Sequence, residues 1–182
     1  MSMQEIETIL KNKNDFVKID LLTRFIDEER PEGEIKKVCY MMLGEIYERS
    51  LMFNDSAKCY DRAGELSPWK EKKNLHIKAA QLYIRGGDFQ KAEGLIKNAV
   101  SESSTFERKE MLTGFKKYCI FVAESLERTR KLGDAIKVYE KTLLMELSDE
   151  EKRIVRERLM NLYQKLGKVR EYLDMKSSLG RR

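Results

Sequence analysis

The sequence predicts an all-α fold in which antiparallel helix hairpins stack side by side as a solenoid, and three observations predict it. Helix-forming residues such as Lys, Glu, Leu, Arg and Ala dominate the 182 residues, and only two prolines interrupt them. Apolar side chains recur three and four positions apart, which is the spacing of one face of a helix. A set of aromatic and small residues returns about every 37 residues, as expected of a repeat protein.

The repeat consists of residues whose internal spacing is kept from unit to unit. Its first full copy is Tyr47, Phe53, Ser56, Tyr60 and Ala63, and 36 residues later it returns as Tyr83, Phe89, Ala92, Ile96 and Ala99. The later copies are Leu126, Leu132, Ala135, Tyr139 and Thr142, and then Tyr163, Val169, Tyr172 and Lys176. Phe16 precedes Phe53 by 37 residues, as Pro31 precedes Pro68, so a partial unit is predicted before the four full ones.

Each unit is predicted to be two helices joined by a tight turn. In the second unit, Ile77, Ala80 and Tyr83 make one apolar stripe, and Gly86 and Gly87 then end the helix. The predicted helices cover residues 2–12, 15–29, 34–51, 54–66, 69–86, 88–103, 105–131, 133–147, 149–166 and 168–178. The stretch 105–131 has two interpretations, one long helix or a helix that bends at its glycine.

Capping residues support several of these helix starts. Ser104 followed by Glu107, and Ser148 followed by Glu151, have the spacing of a capping box. Ser67 is predicted to cap the next helix, with proline as its first helical residue. Small residues are predicted where paired helices approach closely, at Gly44, Ala80, Ala92 and Ala135.

The composition predicts where the protein is located in the cell and how many domains it has. No run of about 18 uncharged apolar residues exists, so no membrane-spanning segment is predicted. The first residues lack the basic and apolar regions of a secretory signal, and the three cysteines are never at Cys-x-x-Cys spacing. These features predict a cytoplasmic protein with reduced thiols. The length predicts one repeat domain over residues 1–178, followed by a short basic tail at 179–182.

The formal net charge of +5 is concentrated towards the C-terminal end. Residues 150–182 hold ten Lys and Arg against five Asp and Glu, and the rest of the chain holds 26 of each kind. A positive end is suited to an acidic partner, to an anionic lipid surface or to nucleic acid. The alternative function is therefore a nucleic-acid-associated repeat protein that uses the basic C-terminal third: Arg153, Arg156, Arg158, Lys165, Lys168, Arg170, Arg181 and Arg182. Few aromatic residues for base stacking lie among them.

The repeat residues resemble the tetratricopeptide-repeat superfamily. The resemblance is carried by Ala79-Ala80-Gln81-Leu82-Tyr83, by Gly87-Asp88-Phe89, and by Ala92 and Ala99. The segment 56–66 is similar in style to the SNAP branch, the adaptors that hold SNARE bundles for disassembly. Ser56 stands where the family has alanine. The resemblance implies a right-handed superhelix that acts as a non-catalytic adaptor and binds a peptide, a helix or a protein subunit on its concave face.

In this family the first helix of each hairpin lines the concave side, which implies a set of groove residues near the family tyrosine. By position they are Met41, Glu45, Arg49, Ile77, Gln81, Arg85, Ile120, Glu124, Arg128, Asn161 and Lys165. The basic members are expected to form a ladder that binds carboxylates or phosphates. The three members Met41, Ile77 and Ile120 are expected to accept an amphipathic helix.

Two plainer interpretations of these residues remain open. Glu45 with Arg49, and Glu124 with Arg128, have the spacing of solvated ion pairs on one helix, each worth only about 0.2 to 0.5 kcal/mol. The apolar members fit packing between neighbouring helices equally well.

No catalytic residue, cofactor or metal ion is predicted. His76 is the only histidine, and its place on an apolar stripe predicts a packed, hydrogen-bonded core residue. Cys119 has a similar place and is predicted to be a small core residue. No phosphate-binding glycine loop is present. Self-association through the terminal repeat is a further alternative, with Leu173 and Leu179 as its candidate contacts.

Overall fold

The computed structural model describes residues 3–179, and its regular structure in that range is helical throughout. The predicted all-α fold class is therefore confirmed. The α-helices are α1 (Met3–Leu10), α2 (Asp15–Arg24), α3 (Gly33–Arg49), α4 (Phe53–Glu65), α5 (Trp69–Arg85), α6 (Phe89–Ser101), α7 (Thr105–Arg128), α8 (Leu132–Leu143), α9 (Asp149–Lys165) and α10 (Val169–Leu179). Residue 2, the predicted start of the first helix, lies outside the described residues.

Helix α2 continues as a π-helix over Phe25–Glu29 and stops at Arg30, whose φ is 46°. Phe25 and Ile26 are buried there, and both join an apolar cluster with side chains of α1, α3 and α4. Pro31 has no N–H and cannot continue the helix. The predicted end at residue 29 is confirmed, but the change of helix type is not visible in the sequence.

Both predicted capping boxes are confirmed. Ser104 caps α7 and Ser148 caps α9; each serine accepts the N–H of a glutamate three residues on, and that carboxylate accepts the N–H of the serine. The prediction for Ser67 is wrong, because Pro68 is the cap residue and the helix begins after it. The Ser67 hydroxyl instead donates to the carbonyl of Ala63 at 2.9 Å, at the end of α4.

The chain divides into two compact units, Met1–Ser103 and Ser104–Arg182. In the first unit, α4 packs against α3 and α5, and α6 packs against α5. In the second, α7 is unbroken from Thr105 to Arg128 and packs against α8, while α9 packs against α8 and α10. The single domain over residues 1–178 stays a prediction. Residues 180–182 of the predicted tail lie outside the described residues.

The small residues of the second helices are fully buried in the first three copies of the repeat. They include Ser56, Ala92 and Ala135, and two turns further on Ala63, Ala99 and Thr142. An added Cβ at Gly44 would lie 2.9 Å from Cε2 of Tyr60, so α3 and α4 approach more closely there than alanine allows. The Ser56 hydroxyl donates to the Gly44 carbonyl at 2.7 Å, which explains how a serine is tolerated at a buried position.

The turn inside each hairpin repeats its backbone geometry. One residue per turn has a positive φ: Leu51 (59°), Gly87 (81°), Arg130 (58°) and Gly167 (68°). The N–H of the following residue donates, at 2.8 to 2.9 Å, to the carbonyl of the repeat position Tyr47, Tyr83, Leu126 or Tyr163. This is the left-handed helix ending that glycine favours, and it confirms the prediction that Gly86 and Gly87 end a helix. Between residues 3 and 179, every helix falls short of the length and hydropathy needed to cross a bilayer.

Candidate functional site

In the first unit, ion pairs hold the first helices of two hairpins, α3 and α5, side by side. Nζ of Lys37 lies 3.1 Å from both carboxylate oxygens of Glu71. Glu48 lies 2.8 Å from Nζ of Lys78 and 3.0 Å from Nη1 of Arg85. Because Lys37 and Glu48 lie near opposite ends of α3, the two helices are neighbours along their length and run in the same direction.

The second unit shows the same arrangement for α7 and α9. Arg158 on α9 lies 3.7 Å from Glu124 and 3.8 Å from Glu127 on α7. Nζ of Lys116 on α7 lies 3.8 Å from Oε2 of Glu151, in the first turn of α9. The first helices of successive hairpins are therefore adjacent in each unit taken by itself.

The predicted groove residues lie on the surface of these first helices. The exposed ones are Glu45, Arg49, Arg85, Arg128, Asn161 and Lys165, and the half-buried ones are Met41, Ile77, Gln81, Ile120 and Glu124. Neighbouring side chains such as Ile46 and Leu82 are buried. Each first helix thus buries one face, and the predicted residues lie outside that face. The first unit holds the members on α3 and α5, and the second unit holds those on α7 and α9.

The two basic groove residues of the first unit have acidic partners on neighbouring helices. Nη2 of Arg49 lies 3.1 Å from Oδ1 of Asp15 on α2. Arg85 pairs with Glu48, and its guanidinium lies 4.0 Å from the centroid of the Phe53 ring. Both side chains therefore contribute to packing between helices, and neither is a free cation for a ligand.

The partners differ from those that helix spacing predicted. Within the part of the chain that the structure describes, no ion pair joins Glu45 to Arg49 or Glu124 to Arg128; Arg49 pairs instead with α2, and Glu124 with Arg158 of α9. The reason is that stacked neighbouring helices bring oppositely charged side chains closer than the next turn of the same helix does.

The two basic groove residues of the second unit have no such partner. Arg128 ends α7 and Lys165 ends α9; both are exposed, and neither forms an ion pair with any residue in 3–179. They are 37 positions apart, so they occupy the same place in successive repeats. Both benefit from the negative end of a helix dipole. These two cationic groups are available to an acidic ligand.

The basic C-terminal third is partly neutralised by its own acids. Arg153 lies 2.7 Å from Glu150, and Lys168 lies 3.3 Å from Glu171. Among the described residues, Arg156 and Arg170 form no ion pair. The candidates Arg181 and Arg182 lie outside the described residues. This pattern does not favour the continuous basic surface that a nucleic-acid backbone requires.

The three cysteines, Cys39, Cys59 and Cys119, are buried and form no disulfide. Burial raises the pKa of the Cys39 thiol to about 11 and the pKa of Cys59 and Cys119 to about 12. Because the thiolate is the nucleophilic form, the raised pKa and the burial both disfavour reaction of these thiols at neutral pH. The predicted core role of Cys119 is confirmed by its burial.

His76 is buried as predicted, with 3% of its surface exposed, but the predicted hydrogen bond is missing at one ring nitrogen. Nε2 has no hydrogen-bond partner among the described residues. It lies 3.5 Å from Asp61 and 3.4 Å from Glu65, which are one turn apart on α4. The ring rests against Gly64, where an added Cβ would lie 2.7 Å from Nε2. The sequence shows the histidine but not these neighbours, because they come from the preceding helix.

Comparison of the chain with models of protein families, with curated proteins and with solved structures found no match. The outward residues of the first helices and the surroundings of His76 are the two features that bear on function.

Proposed function

We propose that this protein is a non-catalytic cytoplasmic scaffold that binds a segment of another protein on the outward face of its first helices. In this proposal the hairpins stack as a right-handed solenoid of the tetratricopeptide-repeat type, in which the first helix of each hairpin lies on the concave side. A fold of this kind serves many partners, so the choice of partner depends on the side chains of that face.

The packing of the first helices supports the proposal. Glu48 holds α3 beside α5 in the first unit, and Arg158 holds α9 beside α7 in the second. A second helix lies behind each pair, since α4 packs against α3 and α5, and α8 packs against α7 and α9. A segment bound to either pair would contact two repeats at once, which gives a peptide or helix a continuous surface to bind.

The observation that carries the proposal is the pair of unpartnered cations, Arg128 and Lys165. Both are exposed at equivalent repeat positions, whereas Arg49 and Arg85 are engaged in ion pairs. Half-buried Ile120 lies two turns before Arg128 on α7. A partner segment with carboxylates and an apolar side chain fits these groups, because Arg binds a carboxylate with two parallel hydrogen bonds.

Affinity capture with charge-reversed variants tests this proposal. The test protein carries Arg128→Glu and Lys165→Glu. Its matched control carries Lys141→Glu and Arg170→Glu, which make the same charge change on exposed residues of the second helices α8 and α10. Wild type, test and control proteins are used to capture partners from a native lysate, and each partner is quantified by mass spectrometry.

The proposal expects at least one partner that the control retains and the test variant loses. Recovery of every partner in equal amounts by the test and control variants would contradict it. Binding of a labelled nucleic acid by the wild type, with an affinity that falls steeply and log-linearly with salt, would instead favour the nucleic-acid alternative.

A further inference from the structure

Three side chains that are suited to bind a metal ion meet where α4 packs against α5. Asp61 and Glu65 project from one face of α4, and His76 reaches them from α5. One ligand atom from each residue lies within 4.8 Å of the other two. All three residues belong to the first unit, so their relation does not depend on how the two units are placed.

The observation that points to a ligand is that His76 is buried and its Nε2 lacks a hydrogen-bond partner among the described residues. Its side chain is only 4% exposed, and Nε2 has no hydrogen-bond partner among the described residues although two carboxylate oxygens lie within 3.5 Å. Buried polar atoms in native proteins almost always have a partner. The side chains of Asp61 and Glu65 are 37% and 56% exposed, so an ion from solvent can reach the nitrogen past the two carboxylates.

The separations match those of ligands around zinc. Zinc binds imidazole nitrogen and carboxylate oxygen at about 2.0 to 2.2 Å, which places two tetrahedral ligands about 3.3 to 3.5 Å apart. The distances from Nε2 to Asp61 and Glu65 are 3.5 and 3.4 Å. The separation between the two carboxylate oxygens is at most 4.8 Å, a gap that rotation of the exposed Glu65 side chain can close.

We propose that Asp61, Glu65 and His76 bind one divalent transition-metal ion of the zinc class, with water as the fourth ligand. An imidazole nitrogen favours zinc over Mg²⁺ and Ca²⁺, which prefer oxygen ligands. The ion joins the second helix of one hairpin to the first helix of the next, so it stabilises the first unit as any ligand specific to the folded state does. This site is independent of the proposed partner-binding face.

Substitution of Lys72 provides an additional test, because it is expected to strengthen zinc binding and not to weaken it. Its Nζ lies 3.1 Å from Glu65, so its charge competes with a metal ion for that carboxylate. We expect Lys72→Gln to bind zinc more tightly than the wild type. Unchanged or weaker binding by that variant would contradict the assignment of Glu65 as a ligand.

The experiment titrates chelator-treated protein with ZnCl₂ alone by calorimetry and follows thermal unfolding with and without zinc. The expected result is one zinc ion per chain, a higher Tm with zinc, and no such rise with MgCl₂. Asp61→Asn with Glu65→Gln, both at partly exposed positions, is expected to weaken zinc binding by about tenfold or more. His76→Phe keeps a ring against Gly64 and is expected to abolish binding.

The matched control is Asp55→Asn with Glu93→Gln, which removes two carboxylates of the first unit outside the cluster and is expected to leave zinc affinity unchanged. Cobalt replaces zinc as a spectroscopic probe, and its absorption is expected to lack the band of a sulfur ligand. The proposal is overturned by the absence of stoichiometric zinc binding to the wild type, by equal affinity in the Asp61→Asn and Glu65→Gln variant, or by a sulfur-ligand band.

Discussion

Arg85 donates a hydrogen bond from Nη1 to Oε1 of Glu48 at 3.0 Å, and these two residues lie 37 positions apart, one repeat length. The guanidinium also lies 4.0 Å from the centroid of the Phe53 ring. Glu48 also lies 2.8 Å from Nζ of Lys78, which is on α5 together with Arg85. One acid of the first full hairpin therefore connects to two basic residues of the next.

Arg85→Ala is expected to destabilise the first unit by about 1 kcal/mol. The ion pair is partly exposed and the guanidinium contributes a cation–π contact, and such interactions are each worth about 1 kcal/mol or less. The measurement is urea unfolding followed by the fluorescence of Trp69, the only tryptophan, which lies in α5. Arg62→Ala, at an exposed residue without an ion pair among residues 3–179, is the control. Equal effects of the two substitutions would contradict the prediction.

Two glycines of the first unit are expected to respond to alanine with opposite signs. Gly44→Ala places a Cβ 2.9 Å from the Tyr60 ring and is expected to cost about 1 to 3 kcal/mol. Gly94→Ala meets nothing within 4 Å and lies inside a helix, so it is expected to stabilise by about 0.5 to 1 kcal/mol. Urea unfolding measures both values. Stabilisation by Gly44→Ala, comparable to that expected for Gly94→Ala, would contradict the close approach of α3 and α4.

Leu51→Gly is expected to stabilise the first unit by about 0.5 to 1 kcal/mol. Leu51 has a φ of 59°, which is unfavourable for a side chain, while the equivalent residue of the next repeat, Gly87, has a φ of 81°. Gly87→Ala is the reciprocal variant and is expected to destabilise. Thermal unfolding compares both with the wild type, and a lower Tm for Leu51→Gly would show that the left-handed turn is not shared between repeats.

Acid is expected to weaken the cap of α9. The N–H of Ser148 donates to Oε2 of Glu151 at 2.8 Å, and this hydrogen bond holds the pKa of the carboxyl below its ordinary value of 4.5. A lowered pKa in the folded state contributes stability above about pH 4.5, and that stability is lost as the pH falls through the lowered value. Glu151→Gln is expected to lose less stability than the wild type on acidification.

Thermal unfolding followed by circular dichroism between about pH 5 and pH 3 measures this difference. Glu157→Gln, an exposed residue two turns further along α9, is expected to keep the acid sensitivity of the wild type. An NMR titration that gives the Glu151 carboxyl a pKa at or above 4.5 would contradict the prediction.

Local signals in the sequence predict most of the helices. Apolar spacing, the capping boxes at Ser104 and Ser148 and the glycine turn at Gly87 each depend on residues within one or two turns of one another. Ser67 misleads because a serine before a proline fits a helix start, whereas here its hydroxyl binds the end of the preceding helix. Local patterns therefore predict the positions of helices well, but they do not show the π-helix at Phe25–Glu29, and they misassign Ser67, which lies between two helices.

The site chemistry is less predictable because its partners come from other helices. Arg49 binds Asp15, 34 positions away, rather than Glu45 on its own helix. Asp61 and Glu65 meet His76 only because α4 and α5 pack closely at Gly64. Sequence spacing identifies residues that share a helix face, but the contacts across helices depend on packing distances that the repeat period alone does not contain.

The most direct test of the proposed binding face is chemical modification of two lysines with and without the cellular partners. Lys165 lies on the proposed face at the end of α9, and Lys141 lies on the second helix α8; both are exposed. With a lysine-reactive ester and quantitative mass spectrometry, we expect Lys165 to be modified more slowly in native lysate than in the purified protein, relative to Lys141. An unchanged ratio of the two rates would contradict the account.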